Sequence, residues 1–136
     1  MNDQQLQLVT FGQAEQLKAA GFNWPCFDYY NANTQQLRWQ KSTADFPHYH
    51  NRHDDSFSAP SVALALKWAR DVKGIYCGIT SIMQHYAFFL EGHDGWCIGF
   101  DNHDSAESAL LDAVLGELEK DFPAADERPV IPANPE

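Results

Sequence analysis

The chain has 136 residues, enough for one domain that buries roughly two-thirds of its unfolded surface, so neither disulfides nor metals are needed for stability. Nineteen acidic residues against nine basic ones give a net charge of −10, which repels a phosphate backbone and argues against direct nucleic-acid binding. With three cysteines, a polar start without signal-peptide features and no apolar run near the ~20 residues of a membrane span, we expect a reduced, cytoplasmic protein without a membrane segment.

The first predicted helix begins at a capping box. Thr10 is a typical N-cap, and Gln13 three residues later can accept a bond from the Thr10 amide. The apolar stripe of this helix comprises Phe11, Ala14 and Leu17. Gly21 followed by Phe22 predicts a Schellman end, in which the glycine takes the left-handed conformation.

Two strands, 26–30 and 37–41, are predicted after this helix. The segment between them contains asparagines, which tolerate the positive φ of a turn, so the pair is expected to form a hairpin. In the second strand Leu37 and Trp39 share one face.

The segment 42–57 has no usable hydrophobic period and is rich in Asp, His, Asn and Ser. We predict a long surface loop there, anchored by Phe46, Tyr49 and Phe57. Loops of this length are uncommon inside compact domains and are often functional, so this is the first place to look for a site.

The central predicted helix starts at Pro60, with Ser58 or Ala59 as the N-cap, and stops at Gly74. Its predicted core face, which is expected to lie on a sheet, consists of Val62, Ala65, Leu66, Ala69 and Val72, flanked by Leu64 and Trp68.

Alternating apolar residues then predict a three-stranded meander over 75–80, 86–91 and 96–100, with a turn at 92–95. Four aromatic residues are expected to supply much of its buried face: Phe88, Phe89, Trp96 and Phe100.

The last predicted helix opens with Asp104 as N-cap and Glu107 at N3. It is expected to bury Leu110, Leu111, Val114, Leu115 and Leu118. Gly116 within it costs about 1 kcal/mol relative to Ala unless it permits close packing. Four prolines in the last 14 residues predict that 121–136 forms an acidic, Pro-rich tail.

These elements predict a single α+β domain over 1–120, in the order α-β-β-α-β-β-β-α. We expect one antiparallel sheet of about five strands, the hairpin plus the meander, covered by three helices.

Three blocks of the sequence carry a family resemblance: TFGQAEQLKAAGF at 10–22, SAPS at 58–61 with LKWARDVKGI at 66–75, and SAESALLDAVL at 105–115. Together they resemble a family of small uncharacterised proteins of gut bacteria and their mobile or phage-derived elements. The resemblance implies an α+β fold and an origin in a mobile element, and brings no established activity or site.

One dense cluster of potential metal ligands occurs, comprising His48, His50 and His53 with Asp54 and Asp55. The three imidazoles are the candidate ligands. Three interpretations stay open: a physiological metal site, adventitious capture of Ni²⁺ or Zn²⁺, and a solvated loop that collects histidines as it collects asparagines.

Cys77 and Cys97 sit among aliphatic neighbours, and structural burial is the expected role of both. A nucleophilic thiol needs a positioned base, and although His85, His93 and His103 are near in sequence, no local signature places any of them against a thiol. Neither His93 nor His103 needs a catalytic role, since the first is at a predicted hairpin tip and the second at a helix entry.

The sequence contains no Gly-rich phosphate loop, nucleophile elbow, HExxH or CxxC motif. The leading prediction is therefore a non-enzymatic accessory protein that binds an unknown protein partner or itself and uses no cofactor. One alternative is a small metal-dependent enzyme or metal-binding protein that uses the His-rich loop 48–55. Another is an acidic inhibitor that mimics DNA by presenting carboxylates in regular rows.

Overall fold

A computed structural model describes residues 6–39, 48–92 and 95–121, with Trp39 and Asp121 described by their backbone alone. The helices are α1 (Phe11–Ala19), α2 (Val62–Lys73) and α3 (His103–Asp121), and a 3₁₀ turn spans His50–Arg52. The strands are β1 (Asp28–Asn31), β2 (Leu37–Trp39), β3 (Ser56–Ser58), β4 (Cys77–Ile82), β5 (His85–Leu90) and β6 (Cys97–Phe100). The predicted tail lies outside the described residues except for Asp121, where α3 ends.

The strands form two separate antiparallel sheets, ordered β2-β1-β3 and β4-β5-β6. The α+β class, the three helices, the hairpin and the meander are confirmed. The single five-stranded sheet is not, since no pairing among the described strands joins the two. The physical reason is β3, which hydrogen-bonds the edge of β1 opposite β2, so both edges of β1 are taken within the first sheet.

The prediction of a loop over 42–57 is wrong for the second half of the segment, because the 3₁₀ turn and β3 lie there. Residues 42–47 lie outside the described part of the chain. The Asn51 side chain fixes this segment by donating to the Phe22 carbonyl at 2.9 Å and accepting from the Ser58 amide at 2.7 Å. Ser58 in turn pairs with Tyr29. A strand of three residues is too short to show a period of two in the sequence.

Helix α1 begins and ends as predicted. The Thr10 hydroxyl accepts a hydrogen bond from the Gln13 backbone amide. The side-chain oxygen of Gln13 accepts one from the Thr10 backbone amide. At the other end Gly21 has φ 98°, and the Phe22 amide donates to the Leu17 carbonyl at 2.9 Å. This is the hydrogen-bond pattern of a Schellman stop.

Helix α2 starts later than predicted, with Ser61 as the N-cap whose hydroxyl accepts from the Leu64 amide. Ser58 cannot cap the helix because it belongs to β3. Gly74 ends the helix in the left-handed conformation, as predicted. Val72 is 53 % exposed and is not part of the core face.

One hydrophobic cluster joins the three helices to the second sheet. Its center includes the fully buried Trp68 indole, which packs edge-on against Phe22 at 5.3 Å. The predicted face of α2 is otherwise buried there, as are all five predicted core residues of α3: Leu110, Leu111, Val114, Leu115 and Leu118. Helix α3 lies on the second sheet and against α2, and this arrangement leaves one face of that sheet outward.

Helix α3 starts two residues earlier than predicted. The Asn102 side chain accepts from the Ser105 amide at 2.8 Å, so Asn102 acts as the cap and Asp104 lies in the first helical turn. None of the described helices combines the length and the apolar character needed to cross a bilayer.

Candidate functional site

The three imidazoles of the predicted metal cluster lie in different environments. His48 is exposed and pairs through its backbone with Cys26, His50 is 7 % exposed, and His53 is exposed at the end of the 3₁₀ turn. The rings of His48 and His50 are 6.1 Å apart between centroids. Among the described residues, these three do not form a group whose ligand atoms lie within reach of one ion.

His50 is built into the protein rather than offered to solvent. Its ring stacks on Tyr29, with centroids 4.5 Å apart and planes 23° from parallel. Burial lowers the pKa of His50, against hydrogen bonds to the Cys26 and Phe27 backbones that raise it. Its Nε2 is buried without a hydrogen-bond partner among the described atoms. A neutral imidazole is the form this environment favours.

The group of possible metal ligands that the described residues do contain is His103, Asp104 and Glu107, whose ligand atoms lie within 4.8 Å of one another. His103 and Asp104 lie in the first turn of α3 and Glu107 follows one turn later. In the first turn the positive end of the helix dipole stabilises carboxylates and disfavours a cation. Burial raises the pKa of Glu107, and the nearby Asp104 also raises it. His103 and Arg70 lower the pKa of Glu107. Stabilisation of the helix start accounts for Asp104 without an ion.

The two buried cysteines, Cys26 and Cys77, do not provide an activated nucleophile. Burial raises the pKa of the Cys26 thiol and of the Cys77 thiol, the latter against the lowering effect of Arg70. A raised pKa keeps a thiol protonated and unreactive. The prediction of burial holds for Cys77 and is wrong for Cys97, which is exposed on the edge strand β6.

The outward face of the second sheet carries a row of aromatic rings. The Phe89 ring lies between those of Tyr76 and Trp96, at 5.0 Å from each between centroids. Tyr76 is 68 % exposed and Trp96 47 %. Beside the row on β6, Ile98 is 68 % exposed. We call these four residues, Tyr76, Phe89, Trp96 and Ile98, the aromatic face.

The sequence predicted that part of this face is buried. Phe88 is buried as expected, but side chains alternate along a strand, so its neighbour Phe89 must point away from the core. Trp96 also lies on the outward side and not in the buried face predicted for it. The adjacent pair Phe88 and Phe89 was the available signal, because two successive aromatic residues in one strand cannot both be covered by the same helix.

A groove of about 420 Å³ runs beside the aromatic face. Its described lining includes Tyr76, Phe89 and Trp96, and Glu91 is the charged residue among them. The Glu91 backbone amide donates to the Tyr76 carbonyl at 2.8 Å, and its carboxylate accepts from the Tyr76 amide at 3.3 Å. The described part of the groove therefore offers apolar surface together with the negative charge of Glu91.

A second, smaller cavity of about 190 Å³ lies between the end of α1 and the 3₁₀ turn. Trp24 and Tyr49 line it, together with the cations Lys18 and Arg52. It belongs in part to the segment 42–57, which the sequence predicts to be a functional loop.

Comparisons with protein-family models, with curated proteins and with solved structures found no match to this chain.

Proposed function

We propose that the protein is a non-enzymatic accessory protein that binds a protein partner through the aromatic face. The observation that carries the proposal is the contiguous row of Tyr76, Phe89 and Trp96 on the side of the second sheet opposite α3. Tyr and Trp dominate binding energy at protein interfaces, because each buries a large apolar surface at a low cost in conformational entropy. Clustered exposed aromatic residues are typical of binding surfaces.

Charge supports a partner with a basic segment over a second copy of the chain. The net charge is −10, so two copies repel one another, whereas a basic partner is attracted. Glu91 in the groove is available to pair with a Lys or Arg flanked by apolar side chains of the partner. Self-association and binding to nucleic acid are thereby disfavoured.

A cytoplasmic location is part of the proposal and is supported by three unpaired cysteines, two of them buried. Origin in a mobile element is implied by the sequence resemblance. The metal-dependent alternative on loop 48–55 has less support, because the His50 ring is stacked on Tyr29 and buried. Zinc calorimetry on wild type and His50→Ala tests it: tight, saturable binding lost in the variant would revive it.

The proposed face is testable by site-specific photo-crosslinking in cells that naturally produce the protein. A photoreactive benzoylphenylalanine replaces Ile98 on the aromatic face, or Leu37 on β2 of the first sheet as the control. Leu37 is a suitable control because it is also an exposed apolar side chain, at 47 % against 68 % for Ile98. We expect one discrete crosslinked protein from position 98 and none from position 37.

The captured protein is then measured directly against purified variants. Trp96→Ser should weaken binding at least about tenfold, as expected for an interface hot spot, and Glu91→Gln should weaken it less and reduce its salt dependence. Identical crosslinking from positions 98 and 37, or affinity unchanged in Trp96→Ser, would refute the proposal. A crosslink only to a second copy would replace the heterologous partner with self-association.

A further inference from the structure

The cavity between α1 and the 3₁₀ turn is lined by basic residues, although the protein as a whole is acidic. The chain has 19 acidic residues against nine basic ones. Yet Lys18 and Arg52 both line this cavity, and none of the eight described lining residues is Asp or Glu. The remaining walls include Trp24 and Tyr49. A cationic, aromatic cavity in an acidic protein needs a specific explanation.

Arg52 holds its charge in a fixed position. Its guanidinium carbon lies 4.1 Å from the centroid of the Tyr49 ring, close enough for a cation–π contact. Apart from this contact, the Arg52 side chain makes no hydrogen bond or ion pair with the described residues. The Arg52 guanidinium has planar N–H donors that suit a carboxylate. They therefore pair with no described acidic side chain.

Lys18 adds a second positive charge that no described carboxylate neutralises. Its ammonium donates to the backbone carbonyls of His53 at 2.6 Å and Ser56 at 2.9 Å, and lies 5.1 Å from the center of the Phe57 ring. These contacts tie the end of α1 to the segment that carries Arg52. Because carbonyl groups are uncharged, Lys18 keeps its positive charge while it lines the cavity.

The cavity is held open by bonds that do not depend on a ligand. Asn51 links the 3₁₀ turn to Phe22 beyond α1 and to Ser58 in β3. Phe22 itself is buried against Trp68. A site formed in advance loses less entropy on binding than one that must be ordered by its ligand.

We propose that this cavity binds a carboxylate that is attached to a small apolar or aromatic group. The carboxylate pairs with the Arg52 fork and the apolar group lies against Trp24 and Tyr49. The volume of about 190 Å³ is below the roughly 300–1,000 Å³ of sites for drug-sized molecules, which favours a single small group. Two sources carry this chemistry: a free aromatic acid and the C-terminal carboxylate of a peptide.

The test uses titrations of the full chain followed by NMR at the Trp24 indole and the Arg52 amide. The ligands are 3-phenylpropanoate, its uncharged analogue 3-phenylpropanamide, and N-acetylphenylalaninate as a mimic of a peptide C-terminus. We expect saturable binding of 3-phenylpropanoate with a Kd of about 1 mM, as suits so small a ligand. The amide should bind at least about tenfold more weakly, because it lacks the charge that Arg52 recognises.

Arg52→Gln and Arg38→Gln form a matched pair, since each removes one exposed guanidinium and Arg38 is on β2, outside the cavity lining. Arg52→Gln should weaken the binding of 3-phenylpropanoate at least about tenfold, and Arg38→Gln should weaken it by no more than about twofold. Equal binding of acid and amide, no binding of either acid, or equal losses in both variants would overturn the site. If N-acetylphenylalaninate binds more tightly than 3-phenylpropanoate, the natural ligand is assigned as a peptide C-terminus. If 3-phenylpropanoate binds more tightly, the ligand is assigned as a free acid.

Discussion

Phe89 and Gly78 are cross-strand partners, and the Phe89 ring occupies the space above Gly78 where any other residue would place its Cβ. A Cβ on Gly78 would lie 2.7 Å from Phe89 Cε1 and 3.1 Å from Cζ, so the ring would have to shift to make room for it. Aromatic rings that cover a glycine in an edge strand support such strands, and β4 is an edge strand. The aromatic face therefore depends on the absence of a side chain at position 78.

Gly78→Ala should displace the Phe89 ring from between Tyr76 and Trp96. We expect a loss of about 1–3 kcal/mol in the free energy of unfolding, the usual cost of overpacking a well-packed contact. Urea denaturation measures the loss, and near-UV circular dichroism reports the altered ring packing. Unchanged stability together with an unchanged near-UV spectrum would show that the ring has room to move.

Gly116→Ala is the contrasting glycine substitution and should stabilise the protein. Apart from the backbone of its own helix and its chain neighbours, no described atom lies within 4 Å of the Cβ position of Gly116, so the glycine does not serve close packing with another described element. The gain should be about 0.5–1 kcal/mol, because alanine restricts the unfolded chain and is the better helix former. A decrease in the urea midpoint would contradict this expectation.

Gln13→Ala should be more destabilising than a surface substitution in α1. The buried Gln13 amide donates to the carbonyl and hydroxyl of Ser108 and to the Asp112 carboxylate at 2.9 Å, and its oxygen accepts from the Thr10 amide. Its removal leaves these partners unpaired, at an expected cost of about 1–3 kcal/mol.

Gln16→Ala is the matched control in the same helix, since Gln16 donates to Glu119 of α3 in an exposed hydrogen bond. It should change the free energy of unfolding by no more than about 0.5 kcal/mol. Equal effects of the two substitutions in urea denaturation would mean that burial of the Gln13 bonds adds nothing.

His50 should make stability fall as pH falls. Burial lowers the pKa of His50 in the folded state. The unfolded chain takes up this proton near pH 6.5, and the folded chain takes it up only at lower pH, so acidification favours the unfolded state. His50→Phe keeps a ring on Tyr29 and should lose less stability than the wild type between about pH 7.5 and 5.5.

The difference between wild type and variant is the informative quantity, because burial raises the pKa values of Asp28 and Glu107, and those carboxyls act in the opposite direction. His85→Gln, a substitution at an exposed position of β5, is measured alongside as the control for removing a histidine. Parallel pH profiles for wild type and His50→Phe would contradict the assignment.

Thiol labelling should distinguish the three cysteines. Cys97 is exposed, whereas Cys26 and Cys77 are buried with raised pKa values. A disulfide reagent at neutral pH should therefore modify one thiol rapidly and the other two only as the protein unfolds. Cys97→Ser should abolish the rapid phase. A second rapidly modified thiol would show that one of the buried pair is accessible.

Much of the local structure is readable from the sequence because it is local chemistry. The capping box of Thr10 and Gln13, the left-handed Gly74 and the buried stripe of α3 each depend on residues within a few positions of one another. Such signals need no knowledge of the rest of the chain. The acidic charge and the three-stranded meander belong to the same class of inference.

Only the tertiary structure decided how these elements combine and where the candidate sites lie. The edge of β1 could be occupied by β3 or by the meander, and hydrogen bonds from Asn51 to distant segments favour β3. The same long-range contacts bury His50 and bring Arg52 beside Lys18, 34 positions earlier in the chain. The sequence by itself determined the three helices, the hairpin and the meander. The pairing of distant segments decided that Ser56–Ser58 becomes a strand and which side chains meet, because those contacts have no local period to reveal them.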